Sequence, residues 1–447
     1  MTETRAGVAS AWRRAGWVSS GLALLALGRL AQVGWAAISN NRGDYYASLP
    51  GTYVRDLNPT LWLSPDMQGA MGYLLNTYYH GPTQYLTLYP VAYLNSYEQI
   101  ATVLLVVYSA LLAVTFWWLK RALEPVAPGV AIGVPLFAMT FLFFPLLQSY
   151  LQREFELVLF AGLAFALMQL QRDRFVAAGA VLGYIAWFKY IPLLFAGYLA
   201  LRGWFAAVAS FVLASVAVIA ATHLAFGLPE FFNNNVPDHA AQVFNVAHYG
   251  FAPDAGGVLR GSGFCNGWFA TETTLANVRH GLCALASTNS WIAPNLVYVL
   301  ICVAVAVIWL HAFYRLWRRP ALPAAEDAWR RALEFSVVTT VCACFFFAHF
   351  YYLIVLVIPY GVLLARYLST GDRLRLGLWL ASYALVSAFV IPTGILSRLT
   401  GIDVWAWYFD GAWFLYGELL LMGTLLFEYR ALALQREIAT SPVAAVS

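Results

Sequence analysis

Apolar residues run along this chain in long blocks instead of alternating with polar ones, and each block is about as long as a helix that crosses a bilayer. Blocks over about 15–38, 95–119, 129–147, 204–226, 291–314, 376–397 and 412–431, with one more ending at the QRDR of 171–174, predict spanning helices. They are rich in Leu, Ala and Val and lack the roughly ten-residue alternation of an outer-membrane barrel.

Two stretches do not fit one ordinary span each. Read as a single helix, 175–201 (FVAAGAVLGYIAWFKYIPLLFAGYLAL) puts Lys189 and Pro192 inside the membrane. It also sends Arg202, and with it Arg315, Arg318, Arg319, Arg330 and Arg331, to the side away from Lys120, Arg121, Arg172 and Arg174. Read as two half-helices meeting near Lys189, it returns all of these to one cytoplasmic side, as basic loops prefer. Each half has about 13 residues, roughly 19 Å, so the meeting point needs protein or a cavity around it. The second awkward stretch, 333–367, is too long for one helix and short for two, and His349 lies near its turn. The expected architecture is a single all-α polytopic membrane domain over 1–447 with about 12 transmembrane or half-spanning helices and both termini cytoplasmic.

Composition sharpens this. The 447 residues are 61% hydrophobic and only 11% charged, where a soluble domain carries about 25% charged residues. Arg13 and Arg14 precede the first block as in a signal peptide, but the block runs on to Ser39 without a small-residue cleavage site, so a retained helix is expected. The net charge of +4 is no sign of nucleic-acid binding, because the basic residues sit in short loops that orient the protein.

Two long polar loops, 39–94 and 227–290, then fall on the extracytoplasmic side. The first carries Asp44, Asp56, Asp66 and His80, with Tyr45 and Tyr46 beside Asp44; the second carries Cys265 and Cys283, which can pair in an oxidising compartment. Arg153, Glu154, Glu156, Lys189, His349 and Asp403 map to the same face. Lys189 and His349 stand at interruptions of apolar sequence, where desolvation makes a charge or polar ring costly unless it is used. With Arg153 they suit a lipid-linked phosphate, which needs several donors and positive charge as it leaves. Arg29, mid-way along the first helix, needs protein, water or an anion for the same reason. A transfer to a sugar hydroxyl also needs a base. Asp44, just outside the first helix, is the first choice, with Asp56 and Asp66 in reserve and Tyr45, Tyr46, His80 and Glu154 as acceptor or supporting groups. No metal-ligand spacing is present, and a phosphate leaving group does not require a metal. The plainer readings are a solvated aspartate, a snorkelling lysine and a packing histidine.

These residues carry a resemblance. The GDYY of the first loop, the stretch from LQREFELVLF to YIAWFKYIP, and the late AHFYYLIVLVIPY together resemble glycosyltransferase family 87, polytopic enzymes of the GT-C superfamily that include bacterial polyprenyl-phosphate-mannose-dependent mannosyltransferases. The resemblance implies an inverting, extracytoplasmic hexosyltransferase of the bacterial inner membrane. Its donor is a polyprenyl-phosphate sugar, named as mannose by the resemblance, and its acceptor a lipid-linked or cell-envelope glycan. Asp44 matches the family's aspartate after the first helix. QRE at 152–154 matches a Gln-X-Asn-like element, with Glu154 where asparagine is usual. Lys189 with Pro192 matches a Lys-X-X-Pro-like element, and His349 a histidine that opens a late aromatic helix. A secondary transporter is the main rival, since it too uses broken helices and buried charge; a flippase or ligase of lipid-linked glycans is the second.

Overall fold

The computed structural model describes residues 20–36, 83, 86–87, 97–152, 155–189, 193–226, 265, 277–288, 292–317, 322–346, 350–387 and 393–439. Among them the chain is helical throughout, as it must be where lipid offers the backbone no hydrogen bonds. The first helix, α1 (20–36), packs through Ala26, Arg29 and Val33, one stripe at helical spacing, and leaves most of its other side chains exposed. The long α2 (Tyr97–Leu123) ends on Lys120 and Arg121, cations that complement the negative end of its dipole.

The third apolar block is broken. Helix α3 (Gly133–Leu142) and α4 (Phe144–Gln152) meet at 61° across Phe143, whose backbone is extended. Pro145 explains the break: it has no N–H to offer and its ring crowds the carbonyl four residues back. The groups freed are taken up at once. The Ser387 hydroxyl accepts from Phe144 N at 2.8 Å and donates to Leu142 O at 3.2 Å, and the Tyr383 hydroxyl donates to Met139 O at 2.6 Å.

Helix α5 (Glu156–Leu170) is buried along its length except at Val158 and Phe165, which marks it as the centre of the bundle. A tight turn follows, with Asp173 in the left-handed region at φ 56°. Helix α6 (Phe175–Lys189) then climbs, and the short α7 (Leu194–Leu201) comes back down: the rings of Phe175 and Trp204, at the two ends of the stretch, lie 5.0 Å apart. The hairpin is therefore re-entrant, with both ends at one side of the bundle. The next helix, α8 (Phe205–Phe226), rises parallel to α6 at very close range. A Cβ on Gly179 or Gly183 would overlap the Ala207 or Phe211 carbonyl, so the glycine pair of G-A-V-L-G is what lets the two backbones touch.

In the second half, α9 (Val278–Thr288) is followed by α10 (Pro294–Trp317) and α11 (Ala324–Val341). The stretch 333–367 is awkward in sequence because it is not one helical type. Helix α11 passes into a π-helical turn (Cys342–Phe346), and after 347–349 the chain resumes as a 3-10 segment (Phe350–Leu356) before α12 (Val357–Thr370). The block 376–397 is likewise split, into α13 (Arg373–Val386) and α14 (Thr393–Thr400), and α15 (Val404–Asp410) precedes the long closing helix α16 (Trp413–Ala439). Among the described residues four helices are long and apolar enough to cross a membrane alone, and the bent α3–α4 pair makes a fifth. The architecture is that of a multi-pass membrane protein. Shorter apolar helices, α5 and α6 among them, stand beside these spans.

Candidate active site

The two ends of the bundle treat charge differently. At one end the basic residues gather and are paired. Arg331 donates to Leu170 O at 2.7 Å, holds Asp173 at 2.5 Å and Asp327 at 2.7 Å, and lies over the rings of Phe175 and Trp204. Burial works against its charge, but the two aspartates outweigh that and hold its pKa above the ordinary value. Arg375 pairs with Asp372 and, at 2.8 Å, with Glu428, while Arg366 covers the Trp329 ring.

From this level three helices rise by the same amount. Leu170 back to Glu156 along α5, Phe175 to Lys189 along α6, and Arg331 to Phe346 along α11 and its π turn each climb about 21 Å at the ordinary helical rise. Their upper ends, Glu156, Lys189 and Phe346, adjoin the segments 153–154, 190–192 and 347–349, which lie outside the described residues. Two residues of the first loop meet α6 near its upper end. The Thr83 hydroxyl donates to Tyr184 O at 2.5 Å and the Thr87 hydroxyl meets the Tyr184 hydroxyl at 2.5 Å, just over one turn before Lys189.

An aromatic wall lies at this end. Phe144 stacks towards Phe350 at 5.5 Å and Trp405 at 6.3 Å, Phe350 towards Phe409 at 5.5 Å, Phe409 towards Phe414 at 5.9 Å, and Phe414 faces His280 at 6.1 Å. It joins α4, which leads to Arg153, with the 3-10 segment that follows His349 and with α9. Cys283 of α9 forms a disulfide with Cys265, which ties the 227–290 loop to the bundle.

Of the residues picked from sequence, Asp44, Tyr45, Tyr46, Asp56, Asp66, His80, Arg153, Glu154 and His349 lie outside the described residues, as does the Lys189 side chain. Arg29 is on the packed face of α1 and donates to Gln32 Oε1 at 2.5 Å, so one edge of its guanidinium is in use. Asp403, mapped to the outer face as a candidate charge, is a helix cap: its carboxylate accepts from Trp405 N and Ala406 N at 3.0 and 3.1 Å. Glu156 is buried in the first turn of α5, at the positive end of the helix dipole.

Two buried polar groups escaped the sequence reading. Glu418 is 0% exposed, and neither carboxyl oxygen has a hydrogen-bond partner among the described residues. It is near enough to Cys344, Tyr360 and Tyr408 to act on them electrostatically. Its signal was present as the lone acid in WFLYGELLLMGTLL. The other is Arg202, read as a cytoplasmic loop charge. The structure buries it in an ion pair with Glu334.

A family model, that of glycosyltransferase family 87, matches residues 78–328, more than half of the chain. The chain belongs to glycosyltransferase family 87. No curated protein and no solved structure matches it. For this family 87 protein the matched region contains His80, the 152–154 break, the whole α6–α7 hairpin and both disulfide cysteines; Asp44, Asp56, Asp66 and His349 fall outside it.

Proposed function

We propose that this family 87 protein is an inverting glycosyltransferase that moves a sugar from a polyprenyl-phosphate donor to a hydroxyl of a lipid-linked or cell-envelope glycan. What supports the reading is the family match together with the run of α5, α6 and α11 from the paired basic residues to ends, Glu156, Lys189 and Phe346, that adjoin the sequence positions Glu154, Lys189 and His349. Positive-inside places the basic end in the cytoplasm, and with it both termini, so the interruptions and the loops 39–94 and 227–290 face the extracytoplasmic side of a bacterial inner membrane. That is where a donor with its lipid in the bilayer presents its phosphate.

In the proposed reaction the acceptor oxygen attacks the anomeric carbon as the bond from that carbon to the phosphate oxygen breaks. The configuration inverts, and the polyprenyl phosphate departs with the electron pair. Asp44 takes the hydroxyl proton, with Asp56 and Asp66 as its alternatives. Lys189, Arg153, His349 and Arg29 offset the charge that grows on the phosphate. Tyr45, Tyr46, His80 and Glu154 line the acceptor side. The phosphate is a good leaving group, so the step needs no general acid. Mannose is the first donor sugar to test.

The test is transfer from a synthetic polyprenyl-phosphate sugar by purified Asp44→Asn protein, with Asp56→Asn and Asp66→Asn alongside and a chelator present. Loss of a general base costs at least about 100-fold. Near-wild-type transfer by Asp44→Asn removes Asp44 from the role, and a defect confined to Asp56 or Asp66 moves it there. Solute accumulation by vesicles without any sugar transfer would instead favour a transporter.

A further inference from the structure

Arg202 ends the returning arm of the hairpin, and it is held more completely than an anchor at a membrane surface requires. Its side chain is 4% exposed and that of Glu334 is 0%. The guanidinium engages the carboxylate side-on through two donors of one edge, Nε donating to Oε2 at 2.7 Å and Nη2 to Oε1. The Tyr429 hydroxyl donates to Glu334 Oε1 at 2.7 Å and accepts from Arg202 Nη2 at 3.4 Å, while the Phe313 ring covers the guanidinium at 4.4 Å. One residue of the hairpin is thus clasped by α10, α11 and α16 together.

A buried ion pair of this kind adds little net stability over an apolar replacement, because desolvation cancels much of the attraction; its best-attested use is to fix register. The hairpin needs such a device. Helix α7 has eight residues, about 12 Å, and cannot locate itself by spanning the bilayer. Its packing through Phe195 on Phe335 and Leu199 in an apolar interior is not directional, and a slip of one turn would move it roughly 5.4 Å. Helix α6 is located by its glycine contacts on α8, and Arg202 supplies α7 with a directional contact of its own.

We propose that Arg202, with Glu334 and Tyr429, is a positioning residue that sets the register of α7, the returning arm of the hairpin, and so the depth of Leu193 at its far end, four residues after Lys189. Its kinetic consequence rests on the transferase reading; its structural consequence does not. A misplacement of about 1 Å at a reacting centre can cost about 100-fold in rate, so control from the opposite face is strong enough to matter.

The decisive variant is the double replacement Arg202→Met with Glu334→Leu, which removes both charges at once and leaves no unpaired ion. It is made in full-length protein in nanodiscs with Leu193→Cys as a reporter and Cys302→Ala. Thermal stability close to the parent is expected, with an altered rate of Leu193→Cys labelling by a water-soluble maleimide. The donor KM should rise about 10-fold or more, the loss of one charge-assisted contact, while kcat changes less. A folded double variant with parental labelling and parental KM overturns the proposal and leaves the cluster a stability element. Should that protein not fold, Tyr429→Phe decides, since it removes one hydroxyl and keeps the ion pair: a shift of labelling in the same direction supports the proposal, and none overturns it. If even the parent transfers no sugar, the transferase reading fails, while the labelling still decides the register.

Discussion

Replacing Gly183 by alanine should loosen this protein even though alanine is the better helix former. Gly183 packs against the backbone of Phe211 where α6 and α8 run parallel, and an added Cβ would overlap the Phe211 carbonyl. The neighbour is main chain in the middle of a helix, so it cannot rotate away; the two helices have to separate. Overpacking of this sort costs about 1–3 kcal/mol. Separation also strains the bond from the Ser215 hydroxyl to Gly183 O, 3.2 Å long, and such a bond contributes about 0.5–1.5 kcal/mol. Against this stands a gain of about 1 kcal/mol in helix propensity. The balance is a loss of about 0.5–3.5 kcal/mol. Gly197, on the returning arm, is the matched control, because nothing lies within 4 Å of the Cβ it would gain; Gly197→Ala should be neutral or stabilising by up to about 1 kcal/mol. Unfolding by denaturing detergent in bilayer-mimicking micelles, with equilibrium midpoints compared across both variants and the parent, measures the difference in sign. Gly183→Ala protein as stable as the parent would refute the close-contact argument. Because α6 carries Lys189 at its end, a loosened Gly183→Ala protein should also use the lipid donor less well.

Further outcomes follow from the site. Lys189→Ala and Arg153→Ala should each weaken productive handling of the lipid phosphate about 10-fold to 150-fold, the worth of one charge-assisted contact, and unchanged transfer kinetics in both would make them interfacial anchors. Cys283→Ser opens a link across 18 residues, which costs about 3 kcal/mol in the chain-entropy view, so its thermal midpoint should drop and limited proteolysis of the 227–290 loop should accelerate. Single cysteines at 189 and 318 should label from the outer and the cytoplasmic side respectively; outer labelling at 318 would invert the assignment of the two bundle ends.

Much of this was legible in the sequence, and the parts that were not have definite physical reasons. Block length and scarcity of charge sufficed for a helical membrane protein. Counting arginines sufficed for the hairpin at 175–201, since only a return to the same end keeps Arg202 with Arg331, as the meeting of Phe175 and Trp204 does. Hydropathy could not place the break at Phe143, because Pro145 acts through a missing donor and not through polarity. Nor could it distinguish a π turn followed by a 3-10 segment from two helices over 333–367, as the side chains of CACFF and FYYLIVL are equally apolar in either geometry. The capping role of Asp403 was not legible for a simple reason: an acid after a glycine-containing turn reads as a surface charge or a cap alike until the Trp405 and Ala406 amides are seen to point at it. Glu334 was overlooked because its partner, Arg202, is 132 residues away.

The pairing of charge at one end explains why the other end can afford its irregularity. Broken helices release backbone groups and leave polar side chains at membrane depth, and each such group costs several kcal/mol in lipid unless protein or water meets it. Such breaks therefore need a frame that does not shift. The basic end supplies it: Arg331 ties the α5–α6 turn to α11, Arg202 ties the hairpin's return to α11 and α16, and Arg375 ties α13 to α16. Closer to the interruptions the bracing is done by neutral hydroxyls, Ser387 and Tyr383 across the α3–α4 break and Thr83 and Thr87 on Tyr184. On the transferase reading, neutral braces leave the field at that end to the proposed donor-binding residues. A cation in place of Ser387 would compete for the donor phosphate, so Ser387→Lys should impair donor use more than Ser387→Ala does, by an amount that shrinks as salt is raised. Equal impairment by the two at every ionic strength would show that Ser387 serves the helix break alone.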